Sequence, residues 1–177
     1  MHPDELAKVP QDIWQHLVAR NGAWRTPVLA SAVPGGGADV RTVVLRSASA
    51  AGRELVFFTD RRSRKLAQLQ ADPAVCLLVY DDERRLQARF YGNAVSEQSS
   101  AVLDDWWSGL AGHQRALYAL DMLADGQSGD NEKGRENFAA FRVTVERFHC
   151  LWILERGNAA VQFDWQHGQW RGHPVRP

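Results

Sequence analysis

Between Val40 and Lys65 the chain reads VRTVVLR, a break of small residues, and then RELVFFTDRRSRKL. The two apolar runs are strand-like, and the break between them makes a hairpin. A turn follows, and Ser63 is an N-cap for a helix over RKLAQLQ. This hairpin-plus-helix unit places Arg41 and Arg46 on one segment and Phe58-Thr59 at the end of the next. Arg61, Arg62, Arg64 and Lys65 then crowd a helix start, where the macrodipole disfavours cations unless an anion sits among them. Local conflicts of this kind mark functional sites. Fixed cations, hydroxyls and a helix N-terminus together suit a phosphate. Taken singly, Arg41 and Arg46 read as solvated arginines at strand ends; on one regular strand their odd spacing points them to opposite faces.

The remaining pattern extends an antiparallel, hairpin-linked order. Ile13, Trp14, Leu17 and Val18 form a helical stripe, with Pro10 near its start and Gly22 beyond its end, which predicts a helix over 11–21. TPVLASAV is a strand, and the Pro34–Asp39 turn is a hairpin connection, since no Gly-Lys-Ser/Thr follows its glycines. AVCLLVYD is apolar enough to be buried on both faces, and RLQARFYGNAVSE alternates with Gln87 on its polar side. Residues 99–123 are helical with a break near Gly109–Gly112, and residues 121–137 read as a long polar loop. FAAFRVTVERF, HCLWILE and AVQFDW complete the strands before a turn-rich tail. The expectation is a mainly β single domain over 1–177: an antiparallel barrel with flanking short helices. Its strands lie within about 26–96 and 138–166.

Composition removes several functions. Lys plus Arg and Asp plus Glu number 21 each, which argues against coating nucleic acid or an anionic membrane. No apolar run reaches the roughly 20 residues of a membrane span, and the N-terminus is unlike a signal peptide, so the expected location is the cytoplasm. Cys76 and Cys150 read as buried free thiols. The histidines lack metal-site spacing, so no metal is expected, and no Gly-x-Ser-x-Gly supports a nucleophile. The acidic groups Asp81-Asp82-Glu83 and Asp104-Asp105 read as solvated faces. Gln87 offers both donors and an acceptor, which suits the edge of a heterocycle.

The series RTVVLR, ELVFFTDRRSRKLAQLQADPAVCLLVY and LQARFYGNA resembles the pyridoxamine 5'-phosphate oxidase superfamily of FMN-binding split barrels over about Thr26 to Ser96. The resemblance implies that Arg41, Arg64 and Lys65 hold the FMN phosphate. It implies that the Val43-Val44-Leu45 backbone and Arg46 line the flavin, that Phe58 and Thr59 lie beside the ribityl chain and phosphate, and that Gln87 bonds the ring or its chain. It further implies a homodimer with FMN at the subunit interface, a small-molecule substrate, and hydride or electron chemistry belonging to the flavin, with no catalytic side chain assigned.

The latter half resembles oxidase-related members of that superfamily more than the vitamin enzyme. In the vitamin enzyme a Tyr-x-x-x-Arg-x-x-x-Ser helix and an Arg-x-His series hold the substrate. Here the corresponding stretches read Asp105-Trp106-Trp107-Ser108-Gly109 and Gly157-Asn158-Ala159-Ala160-Val161. Poor oxidation of pyridoxamine 5'-phosphate is therefore expected, with the two tryptophans favouring a flatter, more apolar ligand. The other classes considered are a non-catalytic flavin or haem carrier of the same fold and a nucleic-acid-binding barrel. The second lacks aromatics interleaved with its basic runs.

Overall fold

The computed structural model describes residues 3–120, 131–155 and 157–177. Helix α1 (Pro3–Ala19) begins earlier than the sequence predicts and carries Pro10 in its interior. A proline there removes one backbone bond and strains the helix. The helix continues because Leu6 and Val9 before it, and Ile13, Trp14 and Leu17 after it, all pack on the core.

After a 3-10 turn (Gly22–Arg25) come β1 (Val28–Ala32) and β2 (Ala38–Thr42). Next are β3 (Leu45–Ser49), β4 (Glu54–Asp60), α2 (Arg64–Ala71), β5 (Ala74–Asp81) and β6 (Leu86–Ser96). Helices α3 (Ser100–Ser108) and α4 (Gly112–Ala119) follow. The chain closes with α5 (Asn131–Asn137), β7 (Phe138–Trp152), β8 (Ala159–Gln166) and β9 (Gln169–Val175). Among the described residues no helix is long and apolar enough to cross a membrane.

The strands form one antiparallel sheet in the order β2-β1-β5-β6-β7-β4-β3, with β8 on β7 and β9 on β8. VRTVVLR is therefore not one strand. It breaks at Val43-Val44, because β2 pairs with β1 while β3 pairs with β4, at the two ends of the strand path. Two residues reach only about 10 Å, so this link draws the ends of the sheet together. The sheet curls into a barrel without closing by hydrogen bonds. The Val43 N–H donates to the Pro27 carbonyl at 3.0 Å and pins the crossing.

Strand β7 is where the sheet splits. One of its edges pairs continuously with β6; the other pairs with β4 through Thr144 and with β8 from Arg147. The β6–β7 register shifts at the same place, between Tyr91 and Gly92. Only glycine fits there, since a Cβ on Gly92 would lie 2.0 Å from the Thr144 carbonyl oxygen. Arg53, in the left-handed region at φ 52, occupies the fork. Its carbonyl accepts from the Val145 N–H at 2.8 Å and its guanidinium donates to the Val145 carbonyl at 3.0 Å. Val145 thus finds the partners that neither neighbouring strand supplies.

Phe57, Phe90, Phe141, Phe148, Phe163, Leu29 and Leu77 fill the barrel, with α1 across one end. A second cluster gathers Leu103, Leu110 and Phe138, with Phe58, Trp106, Trp107 and Tyr118 against it. The two tryptophans are half-buried here, so packing already uses much of their surface.

Other expectations need correction. Strand β5 buries only one face: Tyr80 is 47% exposed and Cys76 and Leu78 are half-buried. FAAFRVTVERF and HCLWILE merge into the single strand β7, and the tail forms β9. Of the expected 121–137 loop, 121–130 lies outside the described residues and 131–137 is α5. Asp81 is buried rather than solvated, accepting from the Trp24 indole at 2.6 Å and the Arg84 guanidinium at 2.9 Å. Burial raises its pKa, but these bonds and that of the Arg84 N–H hold it below the usual range.

Candidate functional site

The end of β4 and the start of α2 bring the hydroxyls and one cation together. Thr59, 4% exposed, points inward and accepts from the Lys65 ammonium at 3.0 Å; its hydroxyl lies 3.2 Å from that of Ser63. The first turn of α2 contains no acidic residue, and the Ser63 side chain makes no cap bond. The helix start thus offers positive potential and hydroxyls with no resident carboxylate in the turn.

Arg41 arrives from β2. The β1–β2 register sets Ser31 opposite Asp39, and α2 covers both with Gln68, one turn after Lys65. Arg41 donates to Ser31 at 2.7 Å, to Asp39 at 2.8 Å and to the Gln68 carbonyl oxygen. Gln68 in turn donates to Asp39 at 2.9 Å. The guanidinium is held in place by three partners, with Asp39 offsetting part of its charge. Lys65 is pushed below its ordinary pKa, first by burial and then by the Arg41 charge, against the opposing pull of Asp60 and Asp39. An anion placed beside both cations relieves that strain.

Two other cations of the basic run have partners of their own. Arg61 donates to the Phe138 carbonyl at 3.1 Å. Arg62 grips Asp60 at 2.6 Å and the Leu120 carbonyl at 3.0 Å. Arg64 is exposed at the helix start.

Arg46 belongs to a different environment. It is the extra residue of a bulge, since Leu45 pairs with Phe57 and Ser47 with Val56. A bulge re-aims its side chain, so the alternation expected of a regular strand does not apply. Its guanidinium carbon lies 5.5 Å from the Phe58 ring centroid, and its Nε is buried without a partner. An orphaned buried donor costs about 1–3 kcal/mol and calls for an acceptor. Val43 and Leu45 are buried and Val44 is half-buried, so the backbone between Arg41 and Arg46 lies along one wall.

Gln87 is not brought to this group. It pairs with Tyr80 and Leu151 on the outward face of β6, whereas Thr59 pairs with Ala139. Leu151 and Ala139 are about twelve residues apart on β7, on the order of 30–40 Å along an extended strand. One bound mononucleotide cannot touch both within a single chain.

The donor set fits a flavin mononucleotide in outline. Lys65, Thr59, Ser63 and the α2 start suit a phosphate, and the unpartnered Arg46 Nε suits a polar ring edge or an acidic ligand. Sequence reasoning missed Asp39, Ser31 and Gln68, whose only legible signal was the i, i+3 placement of Gln68 after Lys65. Arg115, the first arginine after the tryptophans, is occupied: its Nε donates to the Leu110 carbonyl at 2.9 Å.

Comparison with known proteins gives the family and the fold. The family model described as pyridoxamine 5'-phosphate oxidase matches residues 17–151. A pyridoxine/pyridoxamine 5'-phosphate oxidase from Erythrobacter litoralis is 33% identical over 121 residues, 68% of this chain and 53% of that protein. One from Rubrobacter xylanophilus is 40% identical over 75 residues, 41% of this chain and 34% of that protein. The matches thus span between a third and a little over half of these relatives' length. Among solved structures, PhzG from Burkholderia lata, in complex with tetrahydrophenazine-1-carboxylic acid, superposes with a TM-score of 0.75 at 18% identity, covering 100% of this chain and 98% of that one. A pyridoxamine 5'-phosphate oxidase-related, FMN binding protein from Nostoc punctiforme gives 0.73 at 20% identity with the same coverage. At such identities the superpositions establish the split-barrel fold.

Proposed function

Because this chain belongs to the pyridoxamine 5'-phosphate oxidase family, we propose that it binds FMN and acts as a flavin-dependent oxidoreductase on a small molecule. The observation that carries the reading is the meeting of Lys65, Thr59, Ser63 and Arg41 at a helix start without an acidic residue. Lys65 and the hydroxyls bind the terminal phosphate. Arg41, fixed by Asp39, Ser31 and Gln68, sets the potential beside it and contributes a bond from one of its two remaining N–H donors. The Val43–Leu45 backbone, Arg46 and Phe58 line the ring end. A bound flavin supplies hydride or electron transfer at its N5, while the chain binds, orients and excludes water.

The position of Gln87 supports a homodimer. Val40, Tyr80 and Val95 are 60%, 47% and 62% exposed, and together with the half-buried Cys76, Leu78, Tyr91 and Leu151 they give the outward face of the sheet an apolar character unusual for solvent. A second copy covering this face would bring its own Gln87 towards the flavin of its neighbour. The whole chain serves as a single such domain.

Titration with FMN and riboflavin tests the assignment. FMN should bind tightly with a shifted visible spectrum and riboflavin far more weakly. Equal affinities would overturn the phosphate site, and a flavin-loaded monomer by light scattering would overturn the dimer. Reduction by a nicotinamide cofactor in the steady state separates an oxidoreductase from a flavin carrier.

A further inference from the structure

At the C-terminal end of α1 lies a cavity of about 350 Å³ that none of the phosphate-cradle residues lines. Its walls are Ala19, Arg20, Asn21, Arg25, Leu45 and Arg46. Three of these six are arginines and none is acidic. Among the described residues, none of the three makes an ion pair or side-chain hydrogen bond; Arg46 lies over the Phe58 ring and within electrostatic reach of the Tyr118 hydroxyl, and its Nε is buried and unpartnered.

Part of this has a local explanation. The Arg20 N–H bonds the His16 carbonyl at 2.9 Å and closes α1, where the helix dipole favours a cation. Yet Arg20 adopts φ 50, a left-handed conformation that helix ends normally assign to glycine or asparagine. The dipole also leaves Arg25 and Arg46 unexplained. Three cations lining one cavity, of which Arg25 is exposed and Arg20 and Arg46 half-buried, favour an anion among them.

We infer that this cavity is an oxyanion-binding subsite, holding the carboxylate or phosphate of a small acidic substrate through Arg20, Arg25 and Arg46. The inference rests on the flavin reading above for the role of its ligand, since Arg46 faces both the cavity and the Phe58 wall of the ring site. The volume sits at the small end of ligand pockets and suits the acidic end of a molecule rather than a whole cofactor.

Calorimetric titration of the FMN-loaded protein with benzoate, phenyl phosphate and neutral benzamide tests it. Benzoate or phenyl phosphate should bind at low ionic strength and benzamide should not, and the tighter of the two identifies the acidic group. Arg20→Gly, which suits the left-handed backbone, and Arg25→Gln should each weaken binding about tenfold while FMN affinity stays unchanged and the melting temperature does not fall. Equal binding of benzamide, or unaltered oxyanion affinity in both variants, would overturn the inference. If the protein takes up no FMN, the flavin reading fails alone, and the same titrations on the flavin-free chain and its variants still decide the cavity.

Discussion

Two groups of cations in this barrel differ in what surrounds them. At the start of α2, Arg41 is engaged by Ser31, Asp39 and Gln68, and Lys65 by Thr59. At the end of α1, Arg20, Arg25 and Arg46 share a cavity with no carboxylate in its walls. The first group is preorganised, because its side chains already have fixed directions before any ligand arrives. The second is unsatisfied, so a ligand there supplies the missing charge. The densest basic run in the sequence, Arg61 to Lys65, gives the first group only Lys65 and the second group nothing. Arg61 and Arg62 hold backbone carbonyls and Asp60, while Arg20 and Arg25 come from a stretch of no evident charge pattern.

The comparison can be broken most decisively with the vitamin substrate. Neither cation group reproduces the arginine helix of the vitamin enzyme, Arg115 is occupied by Leu110, and the closing hairpin carries Asn158 and Ala159 in place of cations. With FMN-loaded protein, pyridoxal 5'-phosphate formation should fall far below about 1 per second; turnover at that level would mean that one group substitutes for the missing contacts.

Next in size, Lys65→Ala should weaken FMN about 10- to 150-fold, the equivalent of one charge-assisted bond of about 1.5–3 kcal/mol, and leave riboflavin unchanged. Fluorescence titration reads both. An equal loss for riboflavin would place Lys65 at the ring rather than the phosphate.

A smaller effect follows from pH. Burial and the Arg41 charge lower the Lys65 pKa below 10.5, so the free protein loses this proton within the window between the lowered value and 10.5. A phosphate dianion holds the proton on. FMN affinity should therefore fall as pH rises through that window, by up to roughly tenfold per unit, with riboflavin flat. For the flavin-free fold the sign is opposite: the unfolded chain keeps the proton longer, so Lys65 makes stability rise with pH there. Melting curves across alkaline pH, compared with Lys65→Ala, isolate its share.

The smallest expected change sharpens the contrast between the groups. Asp39→Asn removes the carboxylate that offsets Arg41 and should raise FMN affinity slightly, without altering oxyanion binding at Arg20 and Arg25. A marked loss instead would mean that Asp39 acts mainly by fixing the Arg41 geometry.

What the sequence determined by itself was local and ordered. The hairpin-plus-helix unit, the Ser63 start of α2, the strands around Cys76 and Phe90, and the helical break near Gly109 all follow from periodicity, turn chemistry and caps, which act over a few residues. Motif order also carried the family and pointed to Arg41, Thr59 and Lys65, which the fold brings together. Tertiary structure decided whatever depends on pairing between distant segments. It broke VRTVVLR at Val43, because its halves belong to opposite ends of the sheet. It drew Asp81 under Trp24, and it spent Arg53 on the fork at Val145. Arg41 gained Gln68 as a partner, and Gln87 was set too far from Thr59 to share one ligand with it in a single chain. A side chain's charge is written in the sequence, but whether it meets a counter-charge depends on register and packing, which bring together residues that the chain itself keeps far apart.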